Sequence, residues 1–121
     1  MPTVLIADDS LFQRMLLAKA TAPTGYNVLQ ADTGRRCLEI LASAKPEALV
    51  LDMTMPDMNG FEVLEAIRNL GLTTRVVVVT ADIQTTTRQR CLDLGASAVL
   101  NKPADEATLR ACLADLGEGR A

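Results

Sequence analysis

The chain has 121 residues, 12 basic against 15 acidic side chains, a formal net charge of −3 and no histidine. That length suits one domain able to bury roughly two thirds of its unfolded surface. The lack of a basic cluster argues against direct nucleic-acid binding. No apolar stretch approaches the ~20 residues of a membrane span, and no signal-peptide pattern is present. Without histidine, His-based general-base chemistry and His metal ligation are excluded, and any phosphohistidine must come from a partner. Only Phe12, Tyr26 and Phe61 are aromatic, so the core must be aliphatic.

The chain reads as five repeats of apolar strand and amphipathic helix. The first strand spans about Thr3–Asp8, with Val4, Leu5, Ile6 and Ala7 running into Asp8-Asp9. Ser10 has the character of a helix N-cap, with Gln13 three residues on as in a capping box. Leu11, Phe12, Met15, Leu16 and Lys19 follow at helical spacing, and Pro23 and Gly25 end the helix. A second strand covers about Asn27–Ala31, and a second helix about Gly34–Ser43 with Cys37, Leu38 and Leu41 as its inner stripe.

The third strand, Ala48–Asp52, is four apolar residues ending in one carboxylate, and Pro56 and Gly60 break the chain after it. A short uninterrupted apolar run suits a strand buried on both faces, as in parallel sheets. The third helix is about Phe61–Leu70, with Phe61, Leu64 and Ile67 inward and Gly71 as its stop. Strand four, Arg75–Thr80, is a valine run ending in a hydroxyl; β-branching favours a strand. Helix four follows at about Ile83–Leu94, then strand five at Ala98–Leu100, Asn101-Lys102-Pro103, and helix five at about Asp105–Leu116. Residues 117–121 are expected to fray. Alternation of this kind implies βαβ units, a parallel sheet and helices on both faces. Cys37, Cys91 and Cys112 lie far apart in helical segments and read as small buried hydrophobes in a reducing cytoplasm.

In such a sheet the groups ending the strands, Asp8-Asp9, Asp52, Thr80 and Lys102, gather at the carboxyl edge, where ligands bind. Crowded carboxylates raise one another's pKa unless a cation is present. A hard divalent ion such as Mg²⁺, which prefers oxygen ligands, is the natural remedy. Lys102 adds a mobile positive charge and Thr80 a hydrogen-bond donor. Together they make an electrostatic cradle for a transferring phosphoryl group. Asp52, alone at its strand end, is the candidate nucleophile, and the adjacent Asp8 and Asp9 suit a metal better.

Asp8-Asp9-Ser10, Ala31-Asp32-Thr33-Gly34, the run from Leu51 to Gly60, Val79-Thr80-Ala81, Gly95-Ala96 and Lys102-Pro103 stand in one order and spacing. With these pieces the chain resembles the receiver domains of two-component response regulators over nearly its whole length. The resemblance implies a flavodoxin-like (βα)5 doubly wound parallel sheet of strand order 2-1-3-4-5. It implies that Asp52 accepts a phosphoryl group from a histidine kinase. By the same resemblance Asp9, Asp52 and the Thr54 backbone carbonyl bind Mg²⁺, Asp8 acts through water, Lys102 and Thr80 contact the phosphoryl oxygens, and the Lys102–Pro103 bond is cis. Phosphorylation would draw Thr80 and the Ala81 backbone inward and bias a surface of helix four, strand five and helix five.

Three features depart from the family's habit or bear on its details, at four positions. Val99 occupies a slot that usually holds a swinging aromatic ring. Ala104 follows Lys102-Pro103 where a bulkier residue is common. Thr54 and Asp82 flank the path of the attacking water and are expected to set the phosphoryl lifetime; Asp82 also suits the N-cap of helix four. Thr85-Thr86-Thr87 reads as a solvated face.

The expectation is a single receiver domain over 1–121 with no effector domain, phosphoaccepting rather than enzymatic, acting by docking. Asp8-Asp9-Ser10 with Arg14, and Thr54-Met55-Pro56, resemble the chemotaxis regulators of the CheY type. That resemblance implies a CheA-like kinase, a flagellar switch partner and an auxiliary phosphatase. A phosphorelay shuttle or phosphate sink is the alternative within the class. A haloacid-dehalogenase-type phosphatase is the rival outside it, but that chemistry wants a second Asp where Thr54 stands. A flavin or dinucleotide site would need a Gly-rich loop after strand one.

Overall fold

A computed structural model describes residues 2–117. Its five parallel strands are β1 (Thr3–Ala7), β2 (Asn27–Ala31), β3 (Ala48–Asp52), β4 (Arg75–Thr80) and β5 (Ala98–Asn101), in the order β2-β1-β3-β4-β5. The helices are α1 (Leu11–Thr21), α2 (Gly34–Ala44), α3 (Gly60–Asn69), α4 (Thr85–Asp93) and α5 (Glu106–Gly117), with a 3-10 turn at Ala22–Thr24. This is the flavodoxin-like arrangement that the family resemblance implies. The tail expected to fray lies outside the described residues except for Gly117.

Strand alternation divides the aliphatic runs between two cores. Leu5, Leu49, Leu51, Val76 and Val78 pack with Cys37, Ile40 and Leu41 of α2, Val63, Leu64 and Ile67 of α3, and Cys91 of α4. Val4, Ile6, Val50, Val77 and Val79 pack on the other face with Leu17 and Ala20 of α1 and Leu109 and Leu113 of α5. The valine run of β4 is thus shared by both faces. Every residue of β3 is buried, as a central strand covered on both sides requires. Tyr26 joins the second core and its hydroxyl donates to the Leu113 carbonyl at 2.7 Å.

Several sequence expectations shift. β1 ends at Ala7, leaving Asp8 in the following loop. Leu11, Phe12, Met15 and Leu16 carry the helical spacing, yet α1 buries Leu17, Ala20 and Thr21 instead. Both flanks of α1 are apolar, so periodicity alone does not choose the face. On α2 Ile40 replaces Leu38 as a buried position, and on α3 Val63 does so for Phe61. Phe61 instead lies under the Arg90 guanidinium, 4.0 Å from the ring centroid. α4 starts two residues later than expected. Gln84 is its N-cap residue, and the Asp82 carboxylate accepts from the Gln84 amide at 2.9 Å. Thr87 is not merely solvated, because its hydroxyl donates to Asp82 Oδ2 at 2.6 Å. Cys37 and Cys91 are buried free thiols, and Cys112 is partly buried.

Candidate phosphoacceptor site

The parallel register brings the ends of β1, β3, β4 and β5 to one edge. Asp8 and Asp52 are almost fully buried there, with Asp9 exposed beside them. Each of these three carboxylates offers an oxygen within 4.8 Å of the others. Lys102 reaches in from the loop after β5, past a cis bond to Pro103. Its Nζ donates to Asp52 Oδ1 at 2.7 Å and lies 3.6 Å from Asp8 Oδ2. Backbone contacts hold the lysine's loop in place, since the Lys102 amide donates to the Thr80 carbonyl at 2.8 Å.

The charges explain one another. Burial pushes the Asp8 carboxyl above its ordinary value, the Ser10 amide pulls it down, and the Asp52 charge pushes it up again. Burial alone would lower Lys102, but the hydrogen bond and charge of Asp52, with Asp8 beyond, raise it overall. Lys102 therefore stays cationic in a pocket that needs positive charge.

The Asp8 carboxylate uses Oδ1 to accept from the Ser10 amide at 2.9 Å. Its buried Oδ2 accepts no hydrogen bond. The Lys102 ammonium 3.6 Å away is shared with Asp52, so three clustered carboxylates have one lysine charge between them, and a further cation would offset the cost of burying them. The all-oxygen donor set fits a hard divalent ion such as Mg²⁺.

Arg14 holds the floor of the site, donating from Nη1 to the Asp8 carbonyl at 2.8 Å and from Nε to Gln30 Oε1 at 3.1 Å. Thr80 is buried, and its hydroxyl accepts from the Asp82 amide at 3.0 Å. A shallow groove of about 210 Å³ opens beside it, lined by Thr54, Phe61, Thr80, Asp82 and Thr87 among others. Thr54 is exposed on its rim and pairs with Asn59 through an isolated bridge. The aromatic slot does hold Val99, which is buried, and its carbonyl accepts from Arg88 Nη1 at 2.8 Å. Asn101 Nδ2 donates to the Asp82 carbonyl at 3.3 Å.

Asp8, Asp9, Asp52 and Lys102 thus lie together at the sheet edge, while Thr80 meets Lys102 through its backbone carbonyl and turns its hydroxyl to the Asp82 amide. Sequence reasoning gave Asp57 no role of its own. Its Oδ1 and Oδ2 accept from the Gly34 and Arg35 amides at 2.8 and 2.9 Å. The turn signal Pro56-Asp57 was visible, but nothing local marks a partner more than twenty residues back.

The structure is thus a doubly wound α/β sheet with a lysine-bridged acidic pocket at its carboxyl edge. The chain belongs to the response regulator receiver domain family, whose model matches residues 4–114. It is 36% identical over 115 residues to the sensor histidine kinase RcsC of Salmonella typhimurium, an alignment covering 95% of this chain and 12% of that protein. It is 37% identical over 100 residues to the response regulator MprA of Mycolicibacterium vanbaalenii, covering 83% of this chain and 43% of the relative. The chain therefore spans less than half the length of these relatives. Among solved structures, the chemotaxis protein CheY4 of Vibrio cholerae superposes with a TM-score of 0.87 at 30% identity, covering 96% of this chain and 98% of that one. The receiver domain of a LuxO repressor protein from Vibrio parahaemolyticus reaches 0.94 at 27%, covering 98% and 91%. Receiver domains are phosphoacceptors served by histidine kinases rather than enzymes in the ordinary sense, and they generally bind Mg²⁺ at the acidic pocket. No described helix is long and apolar enough to cross a membrane.

Proposed function

We propose that this chain is a receiver that accepts a phosphoryl group on Asp52 and signals by docking. The 2.7 Å contact between Lys102 Nζ and Asp52 Oδ1 carries the reading. It singles out one buried carboxylate, oriented by a cation, in a cluster with two more.

In the proposed reaction an Asp52 oxygen attacks phosphorus. The O–P bond forms as the P–N bond to a donor imidazole breaks, and the electron pair stays on the imidazole nitrogen. Asp8, Asp9, Asp52 and the Thr54 carbonyl would hold Mg²⁺, which supplies positive charge to the transferring group. Lys102 keeps its charge throughout and follows the group from carboxylate to phosphoryl oxygen. The Thr80 hydroxyl, now an acceptor for the Asp82 amide, is free to donate its own proton to a phosphoryl oxygen. Leu11, Phe12, Met15 and Leu16 lie 45–66% exposed on α1 next to Asp8-Asp9-Ser10. Such an apolar rim suits a docking donor.

The finer reading is a chemotaxis-type receiver in the cytoplasm, with a CheA-like donor, a flagellar switch partner and an auxiliary phosphatase. Asp8-Asp9-Ser10 with Arg14 and the likeness to CheY4 support it. The similarity to a segment of a sensor histidine kinase favours a second reading, a shuttle in a phosphorelay.

Intact mass after incubation with acetyl phosphate tests the core reading. A single Mg²⁺-dependent phosphoryl adduct, absent in Asp52→Asn, is expected. An adduct that survives in Asp52→Asn, or none in the wild type, overturns it. Transfer from a CheA-type kinase against transfer from a histidine phosphotransfer protein separates the two finer readings.

A further inference from the structure

The segment between β3 and α3 is closed at its neck. The Gly60 amide donates to the Met53 carbonyl at 2.8 Å, and Thr54 bridges Asn59. Asn59 and Glu62 form a reciprocal capping box at the start of α3. The tip, Pro56-Asp57-Met58, reaches across to α2. An Asp after Pro ordinarily serves its own turn. Here both carboxylate oxygens are spent on the amides of Gly34 and Arg35. Met58 packs against Gly34 so closely that a Cβ there would meet its side chain at 2.7 Å.

α2 has a cap of its own. Thr33 Oγ1 accepts from the Arg36 amide at 3.0 Å, and the Cys37 amide reaches the Thr33 carbonyl. Of the other two amides of the first turn, that of Arg35 lies at an exposed residue, whereas Gly34 is buried and its amide depends on Asp57. The Asp57 contact serves helix and loop together: it satisfies the Gly34 amide and fixes the loop's far end to a packed element, with a negative charge at the favourable end of the helix dipole. The same loop carries Thr54.

We propose that Asp57 is a positioning residue of the phosphoacceptor site: bonded to the first amides of α2, it holds residues 53–59 in the shape that offers the Thr54 carbonyl to a divalent cation on Asp8, Asp9 and Asp52. The inference rests on the phosphoacceptor reading and adds to it a residue that touches neither cation nor phosphoryl group. A pre-ordered loop binds better because its ordering cost is already met. Linkage makes the coupling reciprocal, so cation binding must tighten the Asp57 contacts in return.

The test uses Mn²⁺ binding to the unphosphorylated protein, read by electron paramagnetic resonance, and amide hydrogen exchange with and without Mg²⁺. Asp57→Ala is expected to weaken Mn²⁺ binding by about 3–10-fold, below the loss typical of groups that bond a metal ligand directly. Asp57→Asn, which keeps one acceptor oxygen, falls between it and the wild type. Thr33→Ala, which uncaps the same helix without touching the loop, leaves Mn²⁺ binding unchanged. In the wild type Mg²⁺ slows exchange at Gly34 and Arg35 more than at Arg36. Equal losses in Asp57→Ala and Thr33→Ala, or no loss in either Asp57 variant, overturn the inference while the phosphoacceptor reading stands. A wild type that binds no Mn²⁺ and takes no phosphoryl group overturns both.

Discussion

Two loops flank Asp52, and they are built to opposite ends. The β3–α3 loop is closed by a backbone bond, a bridge, a capping box and the Asp57 contacts, and it leads into a helix that buries Gly60, Val63, Leu64 and Ile67. The β4–α4 loop leaves Ile83 82% exposed and leads into a helix whose one buried residue is Cys91. What holds it is a short set of polar contacts: Asp82 with Thr80, Gln84 and Thr87, and Asn101 with the Asp82 carbonyl. Regions with few buried apolar contacts open at low free-energy cost. One loop is anchored at its neck and tip, as the proposed cation role of Thr54 requires. The other is held by exchangeable hydrogen bonds, including one to the hydroxyl that a phosphoryl group would claim, and can respond.

The contrast is broken most forcefully at the packing. Leu64→Ala, in a fully packed site on α3, should cost about 2–5 kcal/mol in denaturant unfolding. Leu92→Ala on α4 should stay within ~0.5 kcal/mol, as surface changes do. Similar losses at both would mean α4 is as firmly seated as α3. A smaller effect is expected at Gly60, where a Cβ would collide with Met53 Sδ and come within 3.1 Å of the Met53 Cα. Gly60→Ala must displace the residue next to Asp52. It should cost ~1–3 kcal/mol as overpacking and lower acetyl phosphate labelling beyond what its stability loss explains. Unchanged labelling would show that the neck of this loop is not what positions the site.

How far these loops were legible in the sequence follows from the range of their contacts. Strand ends were readable because a short apolar run stopped by Asp52, Thr80 or Lys102 marks both the strand and its functional terminus. The α3 cap was missed although Asn59 and Glu62 stand three apart, because Gly60 was read as the break rather than as the first helical residue. The exposed stripe of α1 misled because Leu11, Phe12, Met15 and Leu16 have the period of a core face. Only tertiary packing shows that Leu17 and Ala20 take that part. Asp57 and Arg88 were silent because their partners, Gly34, Arg35 and the Val99 carbonyl, are backbone groups of other elements, and a backbone group leaves no mark in sequence.

The responsive loop can be sharpened without disturbing the fold. Asp82→Ala removes the acceptor of the Gln84 amide and the Thr87 hydroxyl together. Amide exchange in the first turn of α4 should accelerate while exchange in α3 stays as it was. Thr87→Val removes one of the two contacts and should do less. Acceleration that spreads equally into α3 would mean the two loops open as one unit.

The smallest effect lies in acid, where both loops carry a depressed carboxyl group. The Arg35 and Gly34 amides hold Asp57 below its ordinary 3.8, and the Thr87 hydroxyl with the Gln84 amide does the same for Asp82. The unfolded chain protonates each at the ordinary value. Between that value and the lower folded one it binds more protons than the native state, so stability rises with pH in that window. Both contributions are fully present above the ordinary carboxylate range and are lost as pH falls through the folded values. The loops differ in what the loss releases. Protonating Asp82 loosens a turn within its own element, whereas protonating Asp57 separates the loop tip from α2. Gly34 and Arg35 exchange, normalised for intrinsic rates, should therefore gain an acid-dependent opening below pH 3.8 that Asp57→Asn abolishes. Asp82→Asn should leave that opening in place. If Asp57→Asn keeps the wild-type acid profile at both amides, the charge on Asp57 is not what binds the loop to α2, and the anchoring falls to Met58 packed on Gly34.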